Sequence, residues 1–187
     1  MKNIKVLALG LLVAGMVQAP STVSASGILV DDTFEGFKSK TVEGWTEIEK
    51  KSKSVKVKNN KVVMRDSKKG GISAGIVTSA VDTTNLKGGK KLNLAFNWKA
   101  KKKNEKSDKL FVSYKEDGGE WIKLFKGSDK KGKKSFSESI DFVLSQGVEN
   151  VQFMISTKVS KGNKGKGEGF QLMDFVATGQ DLSLIHI

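Results

Sequence analysis

Lys91-Leu92-Asn93-Leu94-Ala95-Phe96-Asn97-Trp98 alternates without a break. Leu92, Leu94, Phe96 and Trp98 fall on one face, the period-two pattern of a half-buried β-strand rather than a helix. The same pattern recurs in both directions along the chain. Downstream, Lys109-Leu110-Phe111-Val112-Ser113-Tyr114 leads into Asp117-Gly118-Gly119, and Glu120-Trp121-Ile122-Lys123-Leu124 leads out, which spells a hairpin. Upstream, Ser54 to Lys58 and Lys61 to Met64 flank Asn59-Asn60, a pair able to take positive φ. Ser135–Val143, Asn150–Thr157, Gly169–Thr178 and the stretches near 28–37, 45–50 and 72–81 bring the expected total to about nine to ten strands. Many short strands with glycine-rich turns and no amphipathic helix predict an all-β chain. Its expected form is one jelly-roll-like antiparallel β-sandwich over residues 28–180.

Both ends are set apart from that domain. Met1 to Lys5 is a short basic segment, followed by an apolar run from Val6 to Val17. Val23-Ser24-Ala25 then fits the small-x-small pattern of signal-peptidase sites, so residues 1–25 read as a cleaved signal peptide with the cut after Ala25. The apolar run falls short of the ~20 residues a membrane-spanning helix needs. The expected location is therefore secreted or at the cell surface of a bacterium. At the other end, Leu182 to Ile187 resembles the conceptual translation of a sequencing-library adapter, so residues 182–187 read as an artefact. On that reading the natural protein continues beyond Asp181, and His186, the sole histidine, is not its own.

Charge and missing chemistry bound the function. The 187 residues hold 33 basic and 20 acidic side chains, and loss of Lys2 and Lys5 with the leader still leaves about +11. That balance suits anionic polymers. The lysines cluster mostly in loops, however (50–58, 99–109, 126–134, 158–166), where they also protect turns and sheet edges from aggregation. No cysteine is present, which removes thiol nucleophiles, thiolate zinc sites and disulfides. Without a dependable histidine, serine triads and histidine-held metals go too. The acidic residues lie mainly in turns, and Gly162 to Gly167 lacks the following helix that a phosphate loop requires. The chain is expected not to be an enzyme, although a catalytic domain could follow it.

The order of landmarks resembles the cleaved-adhesin and choice-of-anchor jelly rolls of bacterial surface and secreted proteins, and related concanavalin-like and carbohydrate-binding sandwiches. The residues that carry it are Phe34-Glu35 followed by Gly44-Trp45, then Thr78 to Thr83 and the strand Leu92 to Trp98. After these come the Asp-Gly-Gly turn before Trp121 and the closing Leu172-Met173-Asp174-Phe175-Val176. The resemblance implies one structural calcium ion tying the first strand to the last, with Glu35 and Asp174 as ligands and Asp31 or Asp32 as lesser ones. The expected second carboxylate after Asp174 is replaced here by Phe175.

Three tryptophans and one lysine run are the remaining candidates. Trp98 shares its face with Leu92, Leu94 and Phe96 and belongs in the core. Trp121 is expected opposite Tyr114 or Val112 across the hairpin. Trp45 follows a turn and is the best candidate of the three for an exposed platform on which a sugar ring stacks, although buried packing is the commoner fate of a tryptophan in a sandwich. Lys101, Lys102 and Lys103 would grip sulfated or phosphorylated polymers. The sum is a non-catalytic binding or adhesion module for an extracellular glycan or a host or matrix protein. The alternative is an accessory domain of a larger secreted protease or glycosidase. No interleaving of aromatics with basic residues supports specific nucleic-acid binding.

Overall fold

The computed structural model describes residues 27–32, 34, 44–49, 54–65, 73–86, 90–129, 132, 134–159 and 168–180. The expected leader, Glu35, the glycine-rich 162–167 and the C-terminal six residues lie outside them. Among the described residues there are twelve strands and no helix. They are β1 (Gly27–Asp32), β2 (Trp45–Glu49), β3 (Val55–Val57), β4 (Val62–Met64), β5 (Ser73–Thr78) and β6 (Val81–Asp82). The second half contributes β7 (Lys91–Ala100), β8 (Lys109–Glu116), β9 (Ile122–Gly127), β10 (Ser135–Val143), β11 (Asn150–Lys158) and β12 (Phe170–Gln180).

The strands form two antiparallel sheets, an all-β sandwich as the alternation predicts. Sheet A runs β10-β7-β12-β4-β3, with β1 also on β12. Sheet B runs β2-β5-β11-β8-β9, with β6 also on β11. The count exceeds the expected nine to ten, in part because the stretch 72–81 breaks at Ser79-Ala80 into β5 and the two-residue β6. The opening strand stops at Asp32, and Phe34 takes a φ of 55°, unfavourable for a bulky residue in an extended strand.

The core forms where the two patterned faces meet. Leu92, Leu94, Phe96, Trp98 and Ala100 of β7 are all buried, and so are Phe170, Leu172, Phe175 and Ala177 of the neighbouring β12. Sheet B answers with Leu110, Val112 and Tyr114 of β8, Val151, Phe153 and Ile155 of β11, and Ala74 and Ile76 of β5. Burying each of the larger of these side chains is worth about 1.5–3 kcal/mol. Phe175 ties the layers together. It packs edge-on against Trp45 of sheet B at 5.3 Å, against Phe153 of sheet B at 5.6 Å, and stacks with Phe96 of its own sheet at 6.4 Å.

Local turn chemistry explains the hairpins. Asn59 and Asn60 take φ of 51° and 55°, and the Lys58 N–H donates to the Lys61 carbonyl at 2.9 Å. Asp117 and Gly118 repeat this with 41° and 77°, closed by the Gly119 N–H on the Glu116 carbonyl at 2.7 Å. Positive φ at both central residues is the twist-matched two-residue hairpin turn, which Asn, Asp and Gly tolerate. The hairpin register corrects one expectation: Tyr114 faces Ile122 and Val112 faces Phe125, so Trp121 lies opposite neither. A shift in the β8–β9 pairing between Val112 and Ser113 accompanies this arrangement.

Candidate functional site

Alternation that sends one set of side chains into the core sends the other set outward, so each sheet has an outer face. On sheet A, β10, β7 and β12 present a polar ladder. Asn97 donates from its backbone N to Asp174 Oδ1 at 2.9 Å and from Nδ2 to Oδ2 at 2.7 Å. Ser137 Oγ donates to Asn97 Oδ1. Asn93 Nδ2 reaches Asp141 Oδ1 at 2.6 Å and Ser139 Oγ at 3.0 Å, and Lys91 pairs with Asp141 at 2.7 Å. The Asn93 and Lys91 contacts hold the Asp141 carboxyl below the usual carboxylate range. These groups bond to one another, and the shallow hollow of about 460 Å³ beside them is lined by Ala95, Phe96, Ser137, Asp174 and Val176 among others, with Phe96 itself buried in the core.

Sheet B offers a different surface. Leu110, Val112 and Tyr114 point inward, so Lys109, Phe111, Ser113 and Lys115 point outward. Registers place Ile48, Gly75, Ser156, Phe111 and Lys126 in one row across the sheet, and Thr46, Val77, Met154, Ser113 and Lys123 in the next. Gly75 is required here: a Cβ would stand 2.7 Å from the Ile155 carbonyl oxygen. With no side chain at Gly75 and a small one at Ser156, the first row carries little side-chain bulk between Ile48 and Phe111.

Two rings flank this surface. Phe111 and Trp121 are partly exposed and lie outside the core cluster that takes in the other described aromatic side chains. Lys123 Nζ sits 4.9 Å from the Phe111 centroid, and Lys115 Nζ 5.0 Å from that of Trp121. Each contact is worth about 0.5–1 kcal/mol at an exposed site. Phe111 and Lys115 are four residues apart on one strand, so the ring-bearing rows lie about 14 Å apart at ~3.4 Å per residue. At the Trp121 end the face opens into a hollow of about 460 Å³ lined by Lys115, Asp117, Gly118, Glu149, Asn150 and Gln152 among others. Its rim is fixed: Asp117 Oδ1 accepts the N–H groups of Glu149 at 3.1 Å and Asn150 at 2.8 Å, and Gln152 Nε2 donates to the Thr78 carbonyl at 2.9 Å.

The residues expected to form a site are dispersed. Trp45 is not an exposed platform. It is 8% exposed, packed between Phe34 and Phe175, and its Nε1 donates to Asp32. Asp32 pairs with inward-facing Phe175 and so points into the sandwich, where burial raises its pKa. The Trp45 hydrogen bond opposes that shift and the Asp31 charge adds to it. A bulge between Leu172 and Asp174 turns Asp174 to the outer face, the side of the sheet that Asp31 shares. The sheet therefore sets Asp32 and Asp174 on opposite sides. Among the described residues no cluster of three His, Cys, Asp or Glu forms a cage, and Glu35 lies outside them.

Lys101 follows β7, its N–H bonded to the Gly169 carbonyl at 2.9 Å, with Lys102 and Lys103 exposed in the next turn. Burial, then the charges of Arg65 and Lys58, lower the Lys101 pKa. This lysine group stands at the end of the sandwich where β7 passes to β8, and Trp121 stands at the far end of β8. The structure does not bring them together. Trp98 is core as expected, with Nε1 on Glu138 Oε1 at 3.0 Å. Phe111 is the residue that reading for motifs misses, although the alternation of Leu110 to Tyr114 already assigns it to the solvent side.

No family model and no curated protein matches the chain. Among solved structures it is similar to TmCBM61 in complex with β-1,4-galactotriose, at 14% identity and TM-score 0.57 over 81% of this chain and 97% of that one. It is also similar to a Stig cyclase, Fisc from Fischerella sp. TAU, bound to an indole compound, at 11% identity and TM-score 0.53 over 84% and 99%. A CBM4 structure aligns at 12% identity and TM-score 0.49 over 81% and 99%. At these identities the first two establish the jelly-roll sandwich and not the activity, since one binds a sugar and the other is a cyclase.

Proposed function

We propose that the chain is a non-catalytic carbohydrate-binding module that takes its glycan across the outer face of sheet B. The observation that carries this is the pair of partly exposed rings, Phe111 and Trp121, on one face over the low floor of Gly75, Ser156 and Ser113. Sugar rings present C–H faces that pack on aromatic surfaces, and hydroxyl edges that amide and hydroxyl side chains such as Gln152 and Ser156 hydrogen-bond. The likeness to TmCBM61 supports the reading, because that sandwich holds a galactotriose. The leader-like residues 1–25 support a place outside the cell. There the module would serve a surface adhesin or stand beside a secreted hydrolase.

A glycan array followed by calorimetry on the best hits tests this. Phe111→Ala and Trp121→Ala should each weaken binding about tenfold, some 1.4 kcal/mol, without shifting the Tm. Binding that survives both substitutions would remove the face from the account.

A further inference from the structure

The charge on this face says which glycan it takes. The outward positions of sheet B between the row of Lys158 and the row of Gln152 carry Lys109, Lys115, Lys123, Lys126 and Lys158, and no carboxylate among the described residues. Asp117 and Glu149 stand beyond that row, in the hollow beside Lys115, where Asp117 is taken up by the N–H groups of Glu149 and Asn150. The outer face of sheet A differs, since Asp31, Asp141 and Asp174 mix there with lysines. None of the five lysines of sheet B is ion-paired with a described carboxylate, and the Lys109 ammonium is bonded to the Lys106 carbonyl at 2.6 Å.

Resting on the glycan-binding reading, we propose that the ligand is an anionic polysaccharide, with carboxylate or sulfate groups on its sugar rings, and that Lys115 and Lys123 select it. The placement of these two ammonium groups makes the argument. Each lies over the ring on which a sugar would stack. A neutral sugar has to push the ammonium aside and offers it only neutral hydroxyl oxygens in return, so cation–π attraction opposes stacking. An anionic sugar displaces the same ammonium into a charge-assisted hydrogen bond with its own carboxylate or sulfate, so the contact is exchanged rather than lost. The two lysines thus work against neutral chains and for charged ones, a discrimination built from both signs of interaction. The net charge, +13 for the whole sequence and about +11 without Lys2 and Lys5, extends the same preference to the approach of the polymer.

The test is calorimetric titration of the protein with two matched pairs, polygalacturonate against neutral galactan and dextran sulfate against dextran, at low and at physiological salt. At least one polyanion should bind tighter than its neutral partner and weaken as salt rises. Lys115→Gln and Lys123→Gln should weaken polyanion binding about tenfold each, while neutral binding stays level or tightens because the rings are uncovered. Phe111→Ala should weaken whichever polymer binds. Preference for a neutral chain, or polyanion binding indifferent to both lysine substitutions, overturns this proposal and leaves the glycan-binding reading standing. Salt-sensitive binding indifferent to Phe111→Ala and Trp121→Ala is diffuse charge attraction and overturns it too. No binding to any of the four polymers, with none on the glycan array, overturns both.

Discussion

The fate of Trp45 turns on one acceptor. Its indole is buried, and a buried N–H without a partner costs about 1–3 kcal/mol. Asp32 supplies the oxygen, yet it is itself half-buried and held above its ordinary pKa by that burial. A carboxyl with a raised folded-state pKa keeps its proton longer in the folded chain than in the unfolded one. Its contribution to stability is therefore complete below the unfolded value of 3.8 and is lost as pH rises through the raised folded value. Asp82 and Asp141 run the opposite way, because hydrogen bonds from Thr84, and from Asn93 and Lys91, lower theirs. Comparing variants isolates the first effect. Asp32→Asn keeps an acceptor for the indole, so urea midpoints should show it losing less stability than the wild type between pH 4 and 7. Asp32→Ala should cost about 1–3 kcal/mol throughout that range. An Asn variant as unstable as the Ala variant would mean that the charge, not the acceptor, matters. None of this was legible in Gly44-Trp45, because the indole's surroundings come from β1 and β12, at opposite ends of the chain.

Elements were legible where local chemistry decides them. Asn59-Asn60 and Asp117-Gly118 announce two-residue turns, and both are present. Gly118→Ala should cost about 1–2 kcal/mol through its φ of 77° alone, since the space around it is open. Gly75→Ala fails for a different reason, contact with the Ile155 carbonyl, and should cost about 1–3 kcal/mol by forcing β5 away from β11. Thermal melts check both losses, and only the Gly75→Ala loss should be relieved by a partner change that makes room beside the Ile155 carbonyl, since nothing crowds a Cβ at Gly118. The bulge in β12 had no sequence signal. An extra residue at Met173 looks like ordinary alternation in Leu172-Met173-Asp174, yet it sets Asp174 on the outer face. A calcium ion tying β1 to β12 would therefore rest on Asp31 and Asp174 and not on Asp32. The expected signature is a calcium-dependent rise in Tm that Asp174→Ala abolishes and Asp32→Asn leaves intact, and a Tm indifferent to chelator removes the ion.

At the scale of the whole molecule, alternation fixes which side chains are inward but not which strands are neighbours. The hairpins β3–β4 and β8–β9 join consecutive strands. The pairings that build the layers are remote: β7 lies between β10 and β12, and β11 lies between β5 and β8. The binding face depends on those remote pairings, since Ile48, Gly75, Ser156 and Phe111 form a row only after four strands assemble. That is why the core was readable one strand at a time and the site was not. The same division predicts how truncations behave. Phe175 bridges the layers through Trp45, Phe153 and Phe96, with no disulfide to share the work. Phe175→Ala should cost about 3–5 kcal/mol, a large part of the ~5–15 kcal/mol that holds a domain folded. Phe111→Ala removes a ring of the same size from the solvent side and should stay within about 0.5 kcal/mol. Urea unfolding of the two variants puts the assignment of faces at risk. Equal losses would mean that Phe111 belongs to the core and that Trp121 alone is left on sheet B to hold a sugar.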